Sequence, residues 1–384
     1  MDIRIFFDPI SENLSKELAD VSLFGANIRV FNKEFPDLDK VNVAIIGITE
    51  ERGSLTNKGA ANGADEIRKK LYALKKGNVK PGTVDLGNLR SGETVEDTYL
   101  RVKEVCEMLM QLNILPLIIG GTQDLDYGQF LSYENTGKLI SMLNVDAFID
   151  MAGSKEDQSK HHIHRILVYQ PNIIFNYSHL AYQTYLNDQE VINVLEKLHF
   201  ETYRVGRIRE SMIDMEPVVR DADMVSFDIS SIRQTDAPGN NNSQPFGLSG
   251  EEACMLCWYA GLSTKLTSIG FYEYNPESDV KGQTAGVVAT MIWYFIEGFY
   301  TRKEDIDVSG PQYTKYLVSV DSGQGKLIFY KNTYTEKWWM EVPYPEEKAK
   351  LARNSIVPCS YNDYLMATKG EVPDRWILTH AKLI

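Results

Sequence analysis

Several stretches of this chain are apolar at nearly every position rather than at every second one, and this constrains the fold more than any other feature. They include VNVAIIGI (Val41–Ile48), ILPLIIGG (114–121), KLISMLNV within KLISMLNVDAFID (138–150), IIFNY (Ile173–Tyr177), MVSFDI (224–229) and the SIGFY centre of KLTSIGFYEYNP (265–276). A strand with one wet face alternates. A run without alternation is buried on both faces, the condition of a parallel strand between two layers of helices. TVDLGNL (Thr83–Leu89) and TYRVG (202–206) read as shorter strands.

Helical periodicity fills the intervals. Ile67, Leu71 and Leu74 follow the first strand. Thr94–Asn113 places Leu100, Val102, Val105, Cys106, Leu109 and Leu112 on one side. Asp188–Leu198 turns Val191, Ile192, Val194, Leu195 and Leu198 inward, with Asp188 as cap. Ser211–Arg220 reads as a helix, Ser249 and Glu252 form a capping box, and Gln283–Tyr300 is long and apolar. Strands alternating with helices predict a three-layer α/β/α sandwich around a mostly parallel sheet. Residues 1–40 are expected to add a short strand and a helix at its periphery. Near TRKEDIDVSG the pattern changes. KYLVSV, GKLIFYK and KWWMEV are short, aromatic and close together, as in antiparallel hairpins. The expected division is a sandwich over 1–302 and a small C-terminal α+β extension over 303–384, packed on it.

Composition narrows the partners. A net charge of −13 over 384 residues argues against nucleic acid and an anionic membrane surface. Four cysteines are too few for a disulfide scaffold. The first residues lack a basic-then-apolar leader, and MIWYFIEGFY is interrupted by Glu297, so a cytoplasmic protein is expected. Cys254 and Cys257, inside the capped helix with no second pair, read as small core residues.

Polar side chains gather where the strands run out: Gln123 and Asp124 after LIIGG, Asp146 and Asp150 in VDAFID, Asp228 in SFDIS, and Glu273 in FYEYNP. In a parallel sheet these ends share one rim. A single such Asp commonly caps a turn. Several acids on one rim repel unless protons or a cation offset them, which points to a divalent metal.

With these motifs in view, the chain resembles the ureohydrolase family of arginase, agmatinase and formimidoylglutamase over roughly residues 40–300. GITEERGSLTNKGAANGADEIRKKL is similar to that family's glycine-rich stretch and Ile-Arg helix, and PLIIGGTQDLDYG to Gly-Gly-Asp-His-Ser. VDAFID is similar to Asp-Ala-His-x-Asp, SFDISSIRQTDAPG to Ser-x-Asp-x-Asp…Ala-Pro-Gly, and GFYEYNPESD to Glu-x-Asn-Pro-x-x-Asp. YQPNIIFNYSHLAYQTY leans towards the formimidoylglutamase-like branch. The resemblance implies an arginase-like fold, a homo-oligomer, and two Mn²⁺ ions bridged by a hydroxide that attacks an amidine or guanidinium carbon. Of the side chains that hold the pair, Asp146, Asp150 and Asp228 are kept. Gln123, Phe148 and Ser230 stand where the family has His, His and Asp.

These losses are uneven. Gln123, Asp146, Asp150 and Asp228 could still offer oxygen to one Mg²⁺, Mn²⁺ or Ca²⁺ ion. The second ion would depend on Phe148 and Ser230, so its site is expected to be empty. Three readings follow. One is a ureohydrolase-fold protein with a degraded binuclear site, impaired or non-catalytic, binding a small cationic guanidino, amidine or amino-acid ligand. A second is an active single-metal hydrolase of linear amidine C–N bonds, with Asp150, Glu273 and a histidine from His161, His162 and His164 as catalytic groups, His162 being the choice. A third is a structural or interaction role resting on Trp338, Trp339 and Trp376. Glu273 and Asn275 are the expected ligand-binding residues; for Glu273 the competing reading is a loop acid.

Overall fold

The computed structural model describes residues 2–15, 20–151, 156–303, 308–320, 325–343 and 356–383. The apolar runs form the strands expected of them. In chain order they are β1 (Phe7–Asp8), β2 (Arg29–Val30), β3 (Val43–Ile48), β4 (Thr83–Leu89), β5 (Leu115–Ile119), β6 (Ile140–Val145), β7 (Ile174–Tyr182), β8 (Glu201–Arg204), β9 (Met224–Asp228) and β10 (Ser268–Tyr272). They make one ten-stranded sheet of order β1-β4-β3-β5-β10-β9-β6-β7-β8, with β2 also on β4. Every pairing is parallel except β1 with β4.

The helices are α1 (Glu12–Ser15), α2 (Gly63–Tyr72), α3 (Val95–Gln111), α4 (Asp126–Leu131), α5 (His162–Leu167), α6 (Gln189–Lys197), α7 (Val205–Glu210), α8 (Met215–Arg220), α9 (Gly250–Gly261) and α10 (Gln283–Thr301). Alternate residues of one strand serve opposite layers. Val43 and Ile45 pack with Ile67 of α2 and Val288 of α10, whereas Ala44 and Ile46 pack with Tyr99 and Val102 of α3. This two-sided burial is the reason the strands do not alternate in sequence. The capping boxes at Ser249 and Thr94 close both ways, side chain to backbone and back.

Some expected helix faces are narrower than periodicity alone implies. Leu100 and Leu112 of the α3 region are exposed, and Tyr99 is buried instead because its hydroxyl reaches Asp124. In and beyond α6, Val194 and Leu198 are likewise exposed, since Ile192 and Leu195 already fill the contact. Asp188 takes the N-cap backbone conformation without a side-chain cap bond.

The C-terminal part forms a separate antiparallel sheet of β11 (Tyr313–Ser319), β12 (Lys326–Asn332), β13 (Trp338–Glu341) and β14 (Ile356–Cys359), followed by α11 (Tyr361–Thr368) and α12 (Asp374–Leu383). The polar join near residue 302 falls partly outside the described residues. The tail tryptophans are not an exposed surface: Trp338 and Trp376 sit in this unit's own core, and Trp339 is buried under the Arg220 guanidinium. These three side chains are therefore packed inside the protein rather than presented on its surface. Contacts tie the unit to the large sheet. Arg220 donates to the Trp338 carbonyl, Arg375 faces Glu201, and Lys382 donates to Asn176. All four cysteines are buried and free. Among the described residues, no helix is long and apolar enough to cross a membrane.

Candidate functional site

β5, β10, β9 and β6 lie side by side, and their carboxyl ends carry the polar residues singled out by sequence. β3 and β5 continue to one side and β6, β7 and β8 to the other, so the chain changes direction at these strands, where open α/β sheets place their crevices. Gly120 and Gly121 follow β5 with φ of 86° and 76°, a turn that side-chain-bearing residues resist. This turn delivers Thr122 and Gln123 to the rim, and the Glu273 N–H donates to the Gly121 carbonyl.

Asp146 lies at the centre, fully buried just past β6. Its Oδ1 accepts the Phe148 N–H at 3.0 Å and the Ser230 hydroxyl at 2.9 Å, while its Oδ2 has no partner. Burial first, then the negative charges of Asp228 and Asp150, pushes its carboxyl well above the usual range. Asp228 ends β9 and caps the short turn that follows, its Oδ1 accepting the Ser230 N–H at 2.5 Å. Burial, outweighing the Ser230 amide, raises it to about 7. Glu273 has a φ of 68°, uncommon outside glycine. Its Oε1 accepts the Gln123 N–H at 2.8 Å and its Oε2 the Asn57 amide at 2.6 Å. Burial and the charge of Asp228 raise it well above the usual value. Ser230 touches both Asp146 and Asp228, and Glu273 directly follows Tyr272, the β10 residue paired with Asp228, so the three acids share one crevice.

Gln123 donates through Nε2 to Asn144 at 2.7 Å and Ser226 at 3.1 Å, leaving its buried Oε1 without a partner. Asp150, 12% exposed, lies 3.5 Å from His162 Nε2. His162 in turn holds Asp126 Oδ1 through Nδ1 at 2.7 Å, both groups being fully buried. Burial alone would push the imidazole down, but Asp126 and Asp150 together raise it well above its ordinary value. Of the three neighbouring histidines, His162 enters the crevice network, and His161 and His164 stack on each other with ring centroids 4.6 Å apart. Asn275 stands next to Glu273, but both ends of its amide are taken by protein: Nδ2 donates to Asn57 and Lys58, and Oδ1 accepts the Glu277 N–H.

Four members of this network escaped sequence reading. Asp126 carried a signal, an acid three residues after Gln123 in an otherwise apolar helix start. Asn57, Asn144 and Ser226 carried none, since polar residues inside or between strands become visible only when the strands are paired.

The donor set can be judged against a metal ion. The two orphaned buried oxygens, Gln123 Oε1 and Asp146 Oδ2, and the carboxylates of Asp150 and Asp228 are hard ligands of the kind Mg²⁺, Mn²⁺ and Ca²⁺ take. They fit one such ion in chemistry. Phe148 offers no donor, and Ser230 already donates its hydroxyl to Asp146, so a second ion is not fitted. Among the described residues, no group of three or more His, Cys, Asp or Glu side chains is drawn together in the manner of a metal centre. Asp150 is turned towards His162. Cavities of about 730, 790 and 990 Å³ lie elsewhere on the molecule.

Comparison with known proteins agrees with this geometry. The sequence pattern of the arginase family matches residues 41–297. Formimidoylglutamase from Streptococcus gordonii is 24% identical, the match covering 71% of this chain and 90% of that protein. Formimidoylglutamase from Staphylococcus aureus is 25% identical, covering 68% and 90%. Among solved structures, formimidoylglutamase from Bacillus subtilis superposes with a TM-score of 0.67 at 20% identity, covering 74% of this chain and 94% of that one. A Trypanosoma cruzi formiminoglutamase solved with Mn²⁺ superposes with a TM-score of 0.64 at 20% identity, covering 70% and 100%.

Proposed function

The chain belongs to the arginase family, and from that premise we propose that its crevice is a degraded binuclear site, holding at most one divalent ion and no longer hydrolysing amidines by the family route. The observation that carries this reading is the hydrogen bond from Ser230 Oγ to Asp146 Oδ1 at 2.9 Å. In the family pattern that serine is an acid and that aspartate bridges two ions. Here the serine donates to the aspartate, and Phe148 closes the remaining position.

An ion held by Gln123, Asp146, Asp150 and Asp228 would supply charge to hold a water or an oxygen-bearing ligand. The chain's own residues account for the rest. Glu273 retains lone pairs on both oxygens beyond those used by Gln123 and Asn57, suiting the fork of a guanidino or amidine group. The relatives' name, formimidoylglutamase, makes a linear amidine the ligand class of choice. The role is then ligand binding without turnover.

A second reading is favoured by one observation: His162 is oriented by Asp126, with Nε2 towards Asp150, as a group that exchanges protons with a ligand would be. It would make the protein a single-metal amidine hydrolase. Metal content by mass spectrometry, together with ammonia, urea and formamide release from a panel including N-formimidoyl-glutamate, arginine and agmatine, separates the readings. We expect no more than one ion per chain and no product above the chelated control. Two bound Mn²⁺ ions with rapid turnover would overturn the proposal. One ion with product formation abolished by His162→Asn would install the second reading.

A further inference from the structure

A second polar cavity, remote from any family motif, lies between the edge strand β8, the α7–α8 segment and the C-terminal helices α11 and α12. Its volume is about 730 Å³. At its floor is Arg375, whose side chain is only 9% exposed. A guanidinium has five N–H donors. This one makes a single hydrogen bond with described residues, from Nη2 to the Tyr203 hydroxyl at 3.5 Å, and the same nitrogen lies 3.4 Å from Glu201. Both contacts are long, and the Nε and Nη1 hydrogens have no partner among the described residues. A guanidinium with donors unused by the described residues at a cavity wall can take a planar anion, and a carboxylate matches its fork.

The rest of the lining defines what that carboxylate is attached to. Three arginines and five acids surround the cavity, so a strongly anionic ligand such as a phosphate ester is disfavoured. Asp363, at the start of α11, uses one oxygen to accept the Ser360 N–H at 2.7 Å and lines the same cavity as Arg375. Asp374, exposed, also lines the cavity. Acceptors for an ammonium therefore stand near donors for a carboxylate.

We propose that this cavity binds a free α-amino acid, its carboxylate on Arg375 and its ammonium on the Asp363–Asp374 side. The site is built by the C-terminal extension against the sheet edge, and it does not depend on the reading of the crevice above. Binding there would bridge α12 to β8 and so fasten the extension.

The test uses the full chain. Titration calorimetry with each proteinogenic L-amino acid finds the binder; its methyl ester and its decarboxylated amine are then titrated. At least one amino acid should bind, with the ester and the amine each weaker by about tenfold or more, the loss expected for a charged bidentate contact. Arg375→Gln should weaken binding similarly, and Asp228→Asn, in the crevice, should leave it unchanged. No binding by any amino acid overturns the proposal, as does an ester that binds as well as its acid. Loss of binding in Asp228→Asn moves the ligand to the crevice and also overturns it. The acid–ester comparison is made on the unaltered chain, so it decides even if Arg375→Gln fails to fold.

Discussion

Restoring the family's missing ligands should convert a proton-dependent crevice into a metal-dependent one. Ser230→Asp places a carboxylate where a hydroxyl now donates to Asp146 at 2.9 Å. Two carboxylates about 4 Å apart repel by about 4 kcal/mol at an effective dielectric of about 20. Holding the new acid protonated at pH 7 instead costs about the same, since each pKa unit above its ordinary value is about 1.4 kcal/mol. Loss of the serine hydrogen bond adds about 1 kcal/mol. For a chain of this size, at about 2 °C per kcal/mol, the chelated variant should melt roughly 10 °C below the parent. Mn²⁺ at a hundred times its dissociation constant should return about 2.7 kcal/mol. Adding Phe148→His supplies the nitrogen ligand and should deepen the metal response. The assay is differential scanning fluorimetry in chelator and in Mn²⁺, with ion counting on the same samples. The expected result is a second ion per chain in the double variant and a melting temperature that rises with Mn²⁺ far more than the parent's. The reasoning fails if the parent already binds two ions, or if Ser230→Asp melts equally low with and without Mn²⁺.

Other outcomes follow from the same coordinates. Asp228, raised to about 7, suits the fold in its neutral form; its contribution is complete below about pH 4 and is lost as pH rises towards 7, by up to about 1.4 kcal/mol per pH unit. Urea midpoints measured in chelator between pH 5 and 8 should therefore fall more steeply in the parent than in Asp228→Asn, and equal slopes would contradict the assignment. Arg68, fully buried, grips both oxygens of Asp85 at 2.9 Å. Arg68→Met strands that carboxylate and should lower the unfolding free energy by about 3–5 kcal/mol in urea titration. Ser249→Ala opens the capping box of α9 and should cost about 1 kcal/mol by the same measurement, leaving ligand binding unchanged.

The layers of this fold were legible because burial on two faces leaves an unmistakable trace: Val41–Ile48 and the SIGFY stretch became central strands with no alternation to misread. The site was legible as a set of strand ends because parallel strands end together. What the sequence hid depends on side-chain reach. Tyr99 turned inward in preference to Leu100 because its hydroxyl meets Asp124 at 2.5 Å, and hydropathy has no way to register that contact. Asp126 was hidden by its position at a helix start, where an acid ordinarily serves the helix. Its partner lies 36 residues away, and no local pattern links the two. Trp338 and Trp376 have a packing reason: a small sheet needs large side chains to fill a core of its own.

The Asp126–His162 pair also bears on how this protein depends on its surroundings. A diffusible ion occupies a site by mass action, so it is subject to supply, competition and chelators. The His162 side chain is covalently part of the chain and is held by Asp126, so it cannot be diluted or chelated away. The ring that faces Asp150 at 3.5 Å is in place as soon as the chain has folded, whatever the manganese concentration outside. On the proposed function, the crevice relies on a built-in partner for Asp150 rather than on one that can be withheld.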